Sequence, residues 1–261
     1  MGPGPEGPVR YVSEPGFFAE VVEWFTDPQH WSGSSGIPVR LLEHIEMSAL
    51  SVAVAAVIAM PLGLLIGHTR RGEFLVVSVT NLGRAIPSFG LLFLFVIMFG
   101  LGLDTPPAFR PPILFALILL AIPPILTNAY VGIQAVDPDT LEAARGMGMT
   151  EGEVLRRIEL PLAAPVIVAG LRTATVQVVA TATLAAVVAG GGLGRFIVDG
   201  FASGNDPQVF GGALLVALLA IITELAMGLL ERALRPRTST RERKAAPVPA
   251  SETGIAGSSV G

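Results

Sequence analysis

The stretch EAARGMGMTEGEVLRRIELP (142–161) sets seven charged side chains between two long apolar runs. The surrounding composition makes that contrast informative, because 51% of the 261 residues are apolar and only 15% are charged. Mean hydropathy is clearly positive. A soluble globular core fits this composition poorly, and a membrane protein fits it well.

Outward from this stretch the apolar residues fall into five blocks of at least twenty residues: Met47–Gly67, Phe74–Leu103, Ile113–Val136, Leu160–Ala189 and Gly211–Leu230. At about 1.5 Å per residue, each reaches across a hydrocarbon layer of roughly 30 Å. The expectation is an all-α membrane protein with about five transmembrane helices. Pro87 predicts a bend or break in the second block, and Pro123-Pro124 an interruption of the third. DTPPAFRPP (104–112) reads as a non-helical loop, and GGGLG (190–194) with the segment to Pro207 as a second loop on the same side.

The polar stretch carries its own helix signals. Asp137 before Pro138 supplies a capping acceptor followed by the residue suited to the first helical position. A short helix is expected from about 138, with Leu141, Ala143, Ala144 and Met147 on its apolar side and Gly146 and Gly148 ending it. Thr150 and Glu153 have capping-box spacing and open a second short helix reaching Arg157. The chain would then return to the membrane at Leu160-Pro161.

Basic residues give the orientation. With 142–161 inside, eleven Lys and Arg collect on that side against four on the other, so the C-terminus is expected in the cytoplasm and the N-terminus outside. Three regions follow: an external N-terminal segment (1–46), a transmembrane region (47–235) and a disordered cytoplasmic tail (236–261) whose basic residues would lie beside an anionic leaflet. Within the first, FFAEVVEWF (17–25) is too short to span. It reads as a helix either at the outer interface or packed on the protein's own outer face. The first residues lack a continuous apolar run, so no cleavable signal peptide is expected.

Arg84, Arg172 and Glu224 lie about 15–20 Å into their blocks, where a charge must face protein or water. They are candidates for a translocation path, although for Arg172 and Glu224 an internal ion pair fixing helix packing is the favoured reading. Thr173, Gln177 and Thr181, at i, i+4 and i+8, form one polar stripe on the fourth block. Asn128 and Tyr130 are candidates for the same path; alternatively, the Thr hydroxyls bond their own helix and small residues give close helix packing. The chain has no cysteine, and His30, His44 and His68 lack metal-ligand spacing, so no metal site is expected and the histidines are assigned to surfaces or interfaces. GGGLGR lacks the following Lys-Ser/Thr of a phosphate-binding loop, and no hydrolytic constellation is present. No catalytic residue and no cofactor of the chain's own are expected.

The spacing Glu142-Ala143-Ala144, three residues, Gly148, nine residues, Ile158, one residue, Leu160-Pro161 resembles the EAA loop of bacterial ABC-importer permeases. GIPVRLLEHIEMS (36–48), RAIPSFGLL (84–92), PPILTNAYVGI (123–133), LPLAAPVIVAGLRTATV (160–176) and ATLAAVVAGGGLGRFIVDG (182–200) resemble the permeases of osmoprotectant importers, which carry glycine betaine, choline, carnitine or proline. The likeness covers about 36–230. It departs at Gly190–Gly192, where an alanine would be expected within the glycine run. The resemblance implies a multi-pass subunit of the bacterial cytoplasmic membrane whose EAA helix docks on a separate ATP-hydrolysing subunit. It also implies a second permease copy or paralogue and an extracytoplasmic binding protein. Lipid surrounds the spans, and no nucleic acid is expected. Rival readings are the same machine with another cargo, such as methionine or a sulfonate, a stand-alone ion-coupled carrier with Glu224 as its coupling carboxylate, and a non-transporting scaffold.

Overall fold

The computed structural model describes residues 15–100, 104–106 and 110–234, among which the chain is helical and contains no strand. The expected tail 236–261, the first fourteen residues and the side chain of Arg84 lie outside the described part.

Helix α1 (Pro15–Thr26) is the short amphipathic element expected near 17–25, and it packs on the molecule: Val21 and Trp24 are buried while Phe18 and Val22 stay exposed. Helix α2 (Ile37–Thr69) starts earlier than its apolar block, so residues 39–46 belong to it and it runs through the expected boundary at 46. Glu73–Ala85 (α3) and Ser88–Phe99 (α4) replace the single second span, with a bend of 94° at Ile86-Pro87. Proline removes a ladder donor and restricts the residue before it, so the chain breaks there. Among the described residues, four helices are therefore long and apolar enough to cross a membrane, and a fifth crossing requires the bent pair.

Helix α5 (Pro111–Gln134) corrects two expectations. Pro111 and Pro112 open it, because the first turn of a helix has no intrahelical partner for their missing N–H. Pro123 and Pro124 do not interrupt it; the buried Pro123 ring fills the space beside Gly83 of α3, so neighbouring packing holds the helix straight through.

The polar stretch forms α6 (Pro138–Gly146) and α7 (Glu151–Val154), and the second element also differs from expectation. Instead of ending near Arg157, α7 passes through a π-helical turn, Leu155–Glu159, directly into α8 (Leu160–Thr181). Leu160-Pro161 is thus the start of α8 without a break, its proline tolerated at the first turn. A 3₁₀ segment, Ala182–Val188, follows. The expected second loop is largely helical: α9 spans Gly194–Ser203 and α10 spans Asp206–Leu234.

Helices α2, α5 and α8 pack around a core that includes Met47, Ala55, Leu126, Ala174 and Val178. Small residues set their approach. A Cβ on Gly63 would lie 2.7 Å from Ala129 Cβ and from the Leu126 carbonyl, so only glycine lets α2 and α5 meet. The glycine turn at 190–193 is tied to the start of α2. Glu43 Oε2 accepts from the Gly192 N–H at 2.8 Å, and the fully buried His44 accepts from the Leu193 N–H at 3.3 Å on Nδ1. His44 Nε2 donates to the Val179 carbonyl at 2.9 Å. This places His44 in the interior, against the surface or interfacial role its isolation in the sequence suggested; its two ring nitrogens pair with one backbone group of the glycine turn and one from the last turn of the helix ending at Thr181.

Candidate functional site

The residues of the EAA stretch gather at the end of the bundle where α2 stops. Asp137 accepts from the Asp139 N–H at 3.1 Å and Pro138 occupies the first turn, so α6 begins where the capping signals place it. Leu141 and Ala144 are buried against Val136 and Val154, which fastens one side of α6 to its own chain. Glu142 and Ala143 face outward, and Met147 is 77% exposed. The two alanines therefore have opposite roles, and Met147 leaves the apolar side assigned to it because it follows the end of the helix. Gly148 takes φ +87, a left-handed conformation that favours glycine, and turns the chain toward Thr150. Thr150 and Glu153 complete the capping box. Ile158 and Leu160 are half-buried and Pro161 is exposed.

Charged side chains brace this end. Arg145 donates to both Glu151 oxygens, at 2.8 and 3.1 Å, and the carboxylate holds the guanidinium pKa above its ordinary value, chiefly through that hydrogen bond. Glu151 also lies 3.4 Å from His68 Nε2, while His68 Nδ1 is 2.6 Å from Glu159 Oε2. Glu159 is only 2% exposed. A carboxylate so buried requires a hydrogen-bonded partner, and removing that partner costs about 3–5 kcal/mol. His68 and Glu159 carry no role in the sequence reading. Their signal was a lone acid between the apolar Ile158 and Leu160, which calls for a donor from elsewhere in the fold.

Of the path candidates, the structure brings Asn128, Thr173 and Gln177 together in a groove of about 450 Å³ between α3, α5 and α8. Thr80 and Thr127, which the sequence reading passed over, join them, with their hydroxyls 2.5 Å apart. Asn128 Nδ2 donates to the Pro124 carbonyl at 2.8 Å and Thr173 Oγ1 to the Ala169 carbonyl at 3.0 Å. Thr181 sits apart, in an apolar crevice with Ser88 and Leu184. Tyr130 packs on the hydrophobic core.

Arg172 and Glu224 do not line this groove. Arg172 Nη1 donates to Glu231 at 2.9 Å and its Nε to Glu224 at 2.9 Å, joining α8 to α10. Glu231 is the residue missed here. It lies just past the fifth apolar block and, seven residues after Glu224, on the same helix face. A larger cavity of about 740 Å³ opens at the opposite end, between α1 and the junction of α9 with α10, and holds none of the expected site residues.

Residues 59–236 match the family described as binding-protein-dependent transport system inner membrane component. The chain is 37% identical over 197 residues to the choline transport system permease protein OpuBB of Bacillus subtilis, covering 76% of this chain and 88% of that one. It is 41% identical over 194 residues to the glycine betaine/carnitine/choline transport system permease protein OpuCD of the same organism, covering 74% and 82%. In fold it is similar to a chain of an inward-facing methionine ABC transporter, with a TM-score of 0.67 at 23% identity over 80% of this chain and 99% of that one.

Proposed function

The chain belongs to the family of binding-protein-dependent transport system inner membrane components, and on that premise we propose that it is the permease subunit of an ATP-driven importer of osmoprotectants. The observation that carries this reading is the two-sided α6, with Leu141 and Ala144 anchored inward while Glu142 and Ala143 face out and Met147, just past its end, is exposed. An exposed helix face with a carboxylate and a small residue, flanked by an exposed methionine, suits docking into a groove on another protein. A separate ATPase subunit supplies the groove and hydrolyses ATP; this chain needs no cofactor. Gly148 sets the turn that presents α6, while Ile158, Leu160 and Pro161 continue its connection into α8.

The polar groove at Asn128, Thr173 and Gln177 is this chain's share of the solute path, completed by a second permease copy or paralogue. An extracytoplasmic binding protein delivers the solute at the end carrying α1, since the excess of basic residues puts α6 in the cytoplasm. Glycine betaine, choline or carnitine is the cargo favoured by the relatives' names. Arg172 and Glu224 stabilise the α8–α10 packing instead of touching the solute.

Uptake of labelled glycine betaine and choline into vesicles holding the permease, its ATPase and its binding protein tests this reading. Glu142→Ala and Met147→Asp are expected to lower ATP-dependent uptake by at least about tenfold, with the permease still folded and inserted. Uptake without the ATPase would sink the importer and revive the carrier. ATP-driven uptake of methionine or a sulfonate alone would keep the machine and change its cargo.

A further inference from the structure

His68 ends α2 with both ring nitrogens turned to carboxylates on the EAA side: Nδ1 is 2.6 Å from Glu159 and Nε2 is 3.4 Å from Glu151. One ring thus stands between two acids, hydrogen-bonded to Glu159 and within ion-pair distance of Glu151. The two sides differ. Glu159 is 2% exposed and belongs to the π-helical turn at the root of α8, whereas the Glu151 side chain is 59% exposed and is gripped by the Arg145 fork from α6. Among the described residues, every hydrogen bond or ion pair running from 138–159 to α2 ends on His68.

We propose that His68 is a positioning residue of the transport cycle, the contact through which displacement of α6 reaches α2. The inference rests on the reading of α6 as the ATPase-docking helix. The buried bond to Glu159 fixes the imidazole, and the longer, solvent-facing contact to Glu151 is the one that makes and breaks as Arg145 carries Glu151 with α6. The fourth span receives the same displacement directly through the backbone of α7 and the π-helical turn. His68 adds α2, which has no backbone continuity with α6, so the two helices respond together.

The test is the amount of glycine betaine taken up per ATP hydrolysed by the full complex in vesicles, because a merely structural defect lowers uptake and hydrolysis together. Glu151→Gln, an exposed change that leaves the buried pair intact, and His68→Gln are each expected to lower this ratio about tenfold while hydrolysis stays within about twofold. If the contact between them carries the effect, His68→Gln/Glu151→Gln is no worse than the more damaging single change. Should His68→Gln fail to insert, His68→Gln/Glu159→Gln supplies a neutral buried pair in its place. A ratio unchanged in Glu151→Gln and in the inserted His68 variant overturns the proposal, as do effects that multiply in the double variant. Glu142→Ala separates the two layers. If it abolishes uptake while the His68 and Glu151 variants keep the wild-type ratio, the relay alone falls; if it leaves uptake unchanged, the docking reading falls and takes the relay with it.

Discussion

The Arg172 guanidinium donates to the Glu231 carboxylate over 2.9 Å from a neighbouring helix, and Glu224, two turns earlier on that helix, takes its other edge. One cation thus separates two acids. Arg172→Leu leaves those acids facing each other without it and is expected to lower the thermal midpoint. Arg172→Lys recovers only part of this, because an ammonium cannot reproduce the fork that meets two carboxylates. Thermal unfolding of the purified variants in detergent measures both. Equal stability of Arg172→Leu and wild type would contradict a packing role.

Hydrogen-bond accounting separates the groove residues. The Thr173 hydroxyl is already bonded to the Ala169 carbonyl, whereas the exposed Gln177 amide makes no hydrogen bond to another group among the described residues. Gln177→Ala is therefore expected to lower uptake about five- to tenfold, and Thr173→Val to change it less than about twofold. Transport rates at several solute concentrations decide it, with the reverse ranking as the contrary result.

Gly170 is where α8 meets α5. A Cβ there would come within 2.9 Å of both the Asn128 side chain and the Pro124 carbonyl, and the backbone oxygen has little freedom to move away. Gly170→Ala is expected to cost about 1–3 kcal/mol and to narrow the groove. Gly152, a helical glycine of α7 with open space around it, gives the opposite sign: Gly152→Ala is expected to stabilise by about 0.5–1 kcal/mol. Chemical denaturation of the two variants side by side provides the comparison.

Much of this architecture could be read from residue order because its signals are local. The cap at Asp137 and the box at Thr150 and Glu153 act within one turn, and both were legible. The apolar blocks were legible too, since length and composition alone define them. What escaped depends on neighbours. Pro123 looks like a helix breaker until Gly83 is seen to make room for it, and the π-helical turn at Leu155–Glu159 has no spacing signature strong enough to merge α7 with α8. His44 and His68 looked incidental because their partners are remote in sequence: Val179 and Leu193 for the first, Glu151 and Glu159 for the second. The same holds for the groove, where Asn128, Thr173 and Gln177 were identifiable as polar residues but Thr80 and Thr127 became visible only once α3 lay beside α5.

The continuity of Glu151–Val188 also has a geometric consequence. At about 1.5 Å per residue in its α-helical part and about 2 Å in its 3₁₀ end, this 38-residue helical stretch extends over roughly 57 Å. Pivoting such a stretch by about 5° about one tip sweeps the other through an arc of about 5 Å. That arc is close to one helical turn, and it arrives beside the glycine turn that His44 and Glu43 bind to the start of α2.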